Sequence, residues 1–119
     1  MALANRELVT LVAQEGADVR GFCALEGAPG SDGAAEIRAR YVEPASWRAG
    51  VGSALLAVAL ELLRERGVAA VTLWVFEGNS GARVFYERHG FAPDGASMRY
   101  AGSVAIGAPP LERHMRAAL

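Results

Sequence analysis

The chain has 119 residues, of which 52% are hydrophobic and 21% charged, a balance typical of one soluble globular domain spanning residues 1–119. A net charge of −1 and the lack of a basic run argue against nucleic acid as a partner. Cys23 is the only cysteine, which excludes an intrachain disulfide and a cysteine-based metal site. Without a signal-peptide pattern or an apolar run of membrane-spanning length, we expect a cytoplasmic protein with no membrane partner.

The first part of the chain predicts three strands, which lie at residues 7–14, 19–26 and 35–42. A turn at 15–18, which contains a glycine, joins the first two strands into a hairpin. Residues 27–33 are dense in turn formers and predict a loop. In the third strand, apolar and charged residues alternate, as expected of a half-buried strand, and Pro44 ends it.

The second part predicts a helix at 52–66, a strand at 70–76, a helix at 80–89 and strands at 96–100 and 111–115. Leucines recur at helical spacing in the first helix, and Gly67 follows as its C-terminal cap. Asn79 is the predicted N-cap of the second helix, and Gly90 follows its end. The order β-β-β-α-β-α-β-β predicts an α/β (α+β) fold, a mixed sheet with helices on its faces.

Between the third strand and the first helix lies the segment WRAGVGSALL, residues 47–56. The unpaired N–H groups and the dipole of a helix N-terminus attract an anion such as a pyrophosphate. Gly50 and Gly52 keep side chains away from that anion, while Ser53 offers a hydroxyl and Arg48 a charge. The glycines also fit a tight packing turn. The dinucleotide fingerprint lacks its third glycine, and the phosphate-loop pattern lacks its lysine.

This segment resembles the cofactor motif of the GNAT superfamily of N-acetyltransferases, Gln/Arg-x-x-Gly-x-Gly/Ala, with Trp47 in place of the usual Gln or Arg. Residues 79–91 match a second family motif, Asn-x-x-Ala-x-x-x-Tyr-x-x-x-Gly-Phe. The two motifs stand in the family's order, separated by a helix and a strand. The resemblance implies a largely antiparallel twisted sheet, splayed between the fourth and fifth family strands. It also implies acetyl-CoA as co-substrate and no metal.

The resemblance further implies which residues bind coenzyme A. The backbone of Tyr41 and Val42 would pair with the pantetheine arm, and one of their N–H groups would polarise the thioester carbonyl. The remaining implied contacts are Arg48, Ala49, Gly50, Val51, Gly52, Ser53, Asn79, Ala82, Arg83 and Tyr86.

Acetyl transfer to an amine needs a base for the amine and an acid for the leaving thiolate. Tyr86 matches the family's acid, although a core aromatic is the alternative. Glu36 precedes Gly50 by fourteen residues, the spacing of the glutamate base in the histone-acetylating branch. An ordered water is the alternative base. In that case Glu36 has a structural role, as an exposed carboxylate that pairs with Arg38 or with a neighbouring strand. Glu43 is interpreted as a turn residue.

Four other residues could in principle take part in catalysis or binding, and each also has a structural interpretation. Cys23 is expected in the core, and His89 at a helix C-terminus. His114 borders the acceptor pocket or packs on the last strand, and Trp74 lines the cleft or packs in the core.

The implied function is transfer of the acetyl group of acetyl-CoA to a primary amine by direct attack in a ternary complex. The family's usual first strand and two helices, which form much of the acceptor wall, have no counterpart here. An acyl-CoA-binding module without turnover, or a domain completed by a partner subunit, is therefore the alternative, and a homodimer fits either. A phosphate or nucleotide binder unrelated to CoA would require the second motif to be coincidence.

Overall fold

In a computed structural model, which describes residues 8–27, 33–47, 49–99 and 111–119, six strands and two helices follow the predicted order. They are β1 (Leu8–Glu15), β2 (Asp18–Gly27), β3 (Ala35–Val42), α1 (Val51–Glu65), β4 (Ala70–Phe76), α2 (Ser80–Arg88), β5 (Ala92–Arg99) and β6 (Leu111–Ala118), with a 3₁₀ turn at Pro44–Ser46. The described residues divide into two compact units, one up to Val71 with Leu119 and one from Thr72 to Ala118. The predictions for Arg48 and for parts of three segments, at residues 7, 28–32 and 100, lie outside the described residues.

In the first unit, β1, β2 and β3 lie side by side in that order, and both pairings are antiparallel. The tight turn between β1 and β2 contains Gly16, whose φ of 60° lies in the left-handed region that favours glycine. Helix α1 packs on these strands, mainly on β2. Gly21 permits this approach, because a Cβ there would lie 2.6 Å from the Tyr41 carbonyl oxygen and 3.2 Å from Leu55 Cδ1.

The core of this unit forms where the apolar stripe of α1 meets the inner face of the strands. The stripe recurs at three- and four-residue spacing, so it occupies one side of the helix. Its buried members are Leu55, Leu56, Ala59, Leu60 and Leu63, and they face Cys23, Leu25 and Ile37 from the strands. Each buried leucine contributes about 1.5–3 kcal/mol relative to an exposed one. This burial fixes the position of the α1 N-terminus.

In the second unit the strand order is β4-β6-β5, with β5 and β6 antiparallel, and α2 connects β4 to β5. Leu73, Val75, Phe91 and Met115 are buried. The Phe91 ring lies 5.5 Å from the ring of Tyr86 in an edge-on arrangement. The end of β4 meets the start of β6 through the Glu77 N–H, which donates to the Leu111 carbonyl over 2.8 Å.

Two predicted strand boundaries differ from the structure by more than two residues. The last strand runs to Ala118 and not to residue 115. The other difference is the start of the fifth strand. The sequence predicts the fifth strand from residue 96, because Pro93, Asp94 and Gly95 favour a turn. In the structure β5 begins at Ala92 and carries these residues as an irregularity within its pairing to β6. Neither described helix is both long and apolar enough to cross a bilayer.

Candidate functional site

The N-terminus of α1 is open, because no side chain of the N-cap residue bonds to its first turn. Gly50 is the N-cap, with φ 82° and ψ 5°, and neither a side-chain cap nor an acidic residue occupies the first turn. The first helical hydrogen bond runs from the Ala54 N–H to the Gly50 carbonyl over 2.9 Å. The N–H groups of Val51 and Gly52 precede this hydrogen bond and point out of the helix end.

Gly50 is required here by its backbone angle and not by crowding. A Cβ added to Gly50 would have no atom within 4 Å outside its own chain neighbours. Gly50 and Ala49 are both exposed, and Gly52 is half-buried. An open N-terminus without an acidic neighbour can accept an anion through backbone N–H groups.

The backbone of β3 beside this loop presents Val42 and Tyr41 in opposite directions. The Glu43 N–H donates to the Arg20 carbonyl over 2.9 Å, so that cross-strand pair is hydrogen-bonded. The next pair, Val42 with Gly21, is therefore the non-bonded kind, since the two kinds alternate in antiparallel strands. The N–H and C=O of Val42 consequently point away from β2, and those of Tyr41 point toward it.

Trp47, the atypical first residue of the motif, closes the loop back onto β3. Its indole N–H donates to the Val42 carbonyl oxygen over 2.8 Å, while 65% of its surface is exposed. With the Val42 carbonyl engaged by Trp47, the Val42 N–H is the outward-facing donor of the Tyr41–Val42 pair. The sequence did not indicate this contact.

Glu43 anchors the turn between β3 and the loop. Its Oε1 accepts from Arg20 Nη1 over 2.6 Å and from Ser46 Oγ over 2.9 Å. The hydrogen bonds from Arg20 and then Ser46 hold the pKa of the Glu43 carboxyl below its ordinary value of 4.5. Glu43 therefore stays ionised and bonded, as its interpretation as a turn residue requires.

Glu36, the sequence's candidate base, lies near the start of β3 in an ion-paired group. Glu26 stands directly opposite it on β2. Arg38 bridges the two, with Nε 3.1 Å from Glu26 Oε2 and Nη1 3.5 Å from Glu36 Oε2. The register shifts beside Arg38, because Leu25 pairs with Ile37 and the next pair skips this residue. The bulge thus places a cation between two like charges that would otherwise repel.

In the second unit, four predicted site residues lie on α2 or at its N-cap. Asn79 is the N-cap, as predicted, and its Oδ1 accepts from the Ala82 N–H over 3.1 Å. Tyr86 is 7% exposed and lies 5.4 Å from the ring of Phe85. Arg83 Nε is buried and has no hydrogen-bond acceptor among the described residues. Such an atom favours a ligand that supplies the acceptor.

A second arrangement in this unit involves Asp94, which the sequence did not single out. Its Oδ2 is hydrogen-bonded to Nδ1 of His114, and its Oδ1 accepts from the Ala96 N–H over 3.0 Å. The ring of His114 lies 4.7 Å from the ring of Trp74 on β4. The dipeptide Asp94–Gly95 was a turn signal in the sequence, but nothing local indicated that the carboxylate meets a histidine twenty residues away.

The predicted site residues thus fall into separate groups. In the first unit, Val42 and the segment 49–53 adjoin the same turn. Glu36 lies six residues before Val42, about 20 Å along a strand that rises 3.3 Å per residue. In the second unit, Asn79, Ala82, Arg83 and Tyr86 share α2. No cluster of three or more potential metal-ligating side chains occurs in the described part of the chain.

Comparison with known proteins identifies relatives of this architecture. Mycothiol acetyltransferase of Salinispora tropica is 41% identical over 73 residues, which cover 60% of this chain and 24% of that protein. The chain therefore spans about a quarter of the length of this curated relative.

Solved structures share the fold along nearly the whole chain. The ribosomal-protein-S18-alanine N-acetyltransferase from Escherichia coli superposes with a TM-score of 0.79 and 23% identity, over 97% of this chain and 70% of that one. An acetyltransferase from Bacillus anthracis, in complex with acetyl coenzyme A, gives a TM-score of 0.77 and 20% identity, over 94% and 62%. These similarities confirm the predicted fold class.

The sequence also matches the model of the acetyltransferase (GNAT) family over residues 2–91, which is well over half of the chain. The matched region contains both motifs and ends at Phe91, the last residue of the second motif. This protein therefore belongs to the acetyltransferase (GNAT) family.

Proposed function

We propose that this protein transfers the acetyl group of acetyl-CoA to a primary amine of a small molecule, peptide or protein. The observation that carries the proposal is the open N-terminus of α1, which begins at a left-handed Gly50 without a side-chain cap. The first amides and the dipole of a helix at that position suit the pyrophosphate of coenzyme A.

The residues of the first unit bind the cofactor in this proposal. The N–H groups of Val51 and Gly52 hold the pyrophosphate, with Ala49 and Ser53 beside them and Arg48 adding its charge. The Val42 N–H hydrogen-bonds the thioester carbonyl and stabilises the oxygen as negative charge develops on it. Tyr41, whose backbone points toward β2, contributes to the strand and not to the carbonyl contact.

For the second unit, the cofactor contacts and the acid stay those that the sequence predicts. Arg83 Nε, which lacks an acceptor among the described residues, is available to donate to an oxygen of coenzyme A. Asn79 and Ala82 set the first turn of α2 through their capping bond. Tyr86 protonates the departing thiolate. For the base, Glu36 and an ordered water stay the predictions from the sequence.

The second candidate function is an acyl-CoA-binding module without turnover. It is favoured by the burial of Tyr86 at 7% exposure and by the Arg38 ion pair of Glu36, since both side chains then have structural partners. Both candidates need the loop before α1, so binding alone does not separate them.

The test combines binding with turnover. CoA that binds the native state raises its free energy of unfolding by about 2.7 kcal/mol at a concentration of one hundred times Kd. We expect a concentration-dependent rise in Tm with CoA, and thiol release from acetyl-CoA with at least one amine among small amines and a peptide with N-terminal alanine. No Tm shift at millimolar CoA would contradict the acyl-CoA site. A shift without thiol release would favour the binding module.

We also propose a cytoplasmic homodimer. Leu8 and Val12 are 67% and 50% exposed on β1, which ends the strand order of the first unit, and an exposed apolar edge favours association. Light scattering after size exclusion tests the dimer, and a monomeric mass would contradict it.

A further inference from the structure

The Asp94–His114 pair is built by a bulge between β5 and β6. Pro93 pairs with Met115 and Ser97 with Arg113, so the three residues from Asp94 to Ala96 stand opposite the single residue His114. A bulge of this kind re-aims the side chains it carries.

Two further features fix Asp94 in this bulge. Gly95, with φ 90°, supplies the left-handed turn, and the Ala96 N–H holds the second carboxylate oxygen. The carboxylate is thereby directed at the ring of His114.

This pairing sets the chemistry of the imidazole. An ionised carboxylate only accepts hydrogen bonds, so Nδ1 of His114 carries a hydrogen and donates it to Asp94. In the neutral ring Nε2 is then the nitrogen with the lone pair. The bond from the Ala96 N–H, and with it the proximity of His114, holds the pKa of Asp94 below its ordinary value of 3.8, which keeps it ionised.

The ring is held in place and reaches solvent. It packs against Trp74 from β4, and 18% of the His114 side chain is exposed. The ionisable side chain that is hydrogen-bonded to the His114 ring, among the described residues, is that of Asp94. Arg113, the preceding residue on β6, is engaged by Glu77, whose Oε1 accepts from Arg113 Nε over 3.1 Å.

Several other carboxylates near the described motifs are already bonded to arginines. Hydrogen bonds from Arg20 and from Arg113 lower the pKa values of Glu43 and Glu77 respectively. Glu36 shares Arg38 with Glu26. Histidine is the side chain that most often acts as a general base.

We propose that His114 is the general base of the transfer reaction and that Asp94 is its positioning residue; the inference rests on the acetyltransferase function proposed above. His114 Nε2 takes a proton from the acceptor nitrogen as the C–N bond to the acetyl carbon forms. The C–S bond breaks, the sulfur takes a proton from Tyr86 or water, and CoA leaves as a thiol. The imidazolium and the acid then exchange protons with solvent, which restores both groups.

The chain contains two histidines, so His89 provides a matched control. The variants are His114→Gln, His114→Asn and Asp94→Asn, compared with His89→Gln as the control. Glu36→Gln tests the alternative base that the sequence predicts. The asparagine at position 114 keeps an amide donor for Asp94, so it preserves the fold if the glutamine variant does not. For each protein we would measure Tm, the CoA-induced Tm shift and kcat.

We expect both His114 variants to lower kcat by a factor of about 10²–10⁴, the usual contribution of a general base, while the CoA-induced Tm shift persists. Asp94→Asn replaces the anionic acceptor that holds the hydrogen on Nδ1, so kcat falls while the CoA-induced Tm shift persists. A merely structural role for Asp94 would leave the position of the hydrogen on the His114 ring unchanged. His89→Gln keeps the wild-type kcat.

The inference is wrong if a folded His114 variant keeps kcat within about threefold of His89→Gln, or if Glu36→Gln alone abolishes turnover. It is also wrong if the neutral ring of His114 keeps its hydrogen on Nδ1 in Asp94→Asn. In each case an active wild type leaves the proposed function intact. A wild type that binds CoA and turns over no amine contradicts the proposed function itself, and the role of His114 with it.

Nitrogen NMR of the two imidazoles gives a readout independent of activity. His89→Gln assigns the remaining signal to His114. We expect the neutral ring of His114 to carry its hydrogen on Nδ1 in the wild type and to lose that preference in Asp94→Asn. A ring with its hydrogen on Nε2 in the wild type would overturn the proposal.

Discussion

Replacing Gly50 by alanine separates the two reasons for a glycine at the start of α1. The φ of 82° costs a residue with a Cβ roughly 1–2 kcal/mol, and part of this is offset because alanine is less flexible than glycine in the unfolded chain. No atom lies within 4 Å of the added Cβ, so no steric cost is added. We therefore expect Gly50→Ala to lower the free energy of unfolding by about 1 kcal/mol, a fall in Tm of roughly 3–6 °C.

The same methyl group has a larger effect on CoA. It enters the open space through which a pyrophosphate approaches the first amides of α1, so we expect CoA affinity to fall by about tenfold or more, equivalent to at least 1.4 kcal/mol. Urea unfolding measures the stability, and isothermal titration measures the affinity.

Gly16→Ala is the matched control for this experiment. Gly16 has φ 60° and also has no atom within 4 Å of an added Cβ, but it lies in the turn between β1 and β2. It should lose comparable stability and keep CoA affinity. Equal CoA affinities for the two variants would refute the assignment of the loop as the pyrophosphate site.

Three further outcomes are expected. The hydrogen bond from Arg20 is the main reason why the pKa of Glu43 is lower in the folded protein than its ordinary value of 4.5. Glu43 therefore stabilises the fold fully at pH values above the unfolded pKa, and this stabilisation is lost as the pH falls through the folded pKa. Glu43→Gln should therefore flatten the acid-side fall in Tm, and an unchanged slope would contradict this. Burial raises the pKa of Cys23 to about 11, so a thiol reagent at pH 8 should label it only after unfolding; rapid native labelling would argue otherwise. Tyr86→Phe should lower kcat with CoA affinity retained, and unchanged kcat would assign Tyr86 to the core alone.

The secondary structure followed closely from local sequence. The bounds of β3 and β4 agree with the predicted strands, because alternation in one and a continuous apolar run in the other end abruptly. Helix α1 ends one residue before its predicted end, followed by Gly67 with φ 76°, where the Val68 N–H returns to the Leu63 carbonyl over 3.0 Å. These features depend on neighbouring residues, and such residues are visible in the sequence.

The start of β5 shows where local signals were insufficient. Proline, aspartate and glycine at 93–95 favour a turn, yet these residues belong to a strand because β6 provides a partner on either side of the bulge. Pairing between strands outweighed the local turn preference, and only the register of the two strands reveals it.

The sequence by itself determined the order of the elements and the glycine-opened N-terminus of α1, since both depend on residues that are adjacent in the chain. Only the tertiary structure decided which side chains meet. Glu43 bonds Arg20 across 23 positions, and Asp94 bonds His114 across 20. All twelve cations other than histidine are arginines, so the sequence offers many equivalent partners for each carboxylate. Strand register and bulges determine which partner each carboxylate meets, because a shift of a single residue turns a side chain to the opposite face of the sheet.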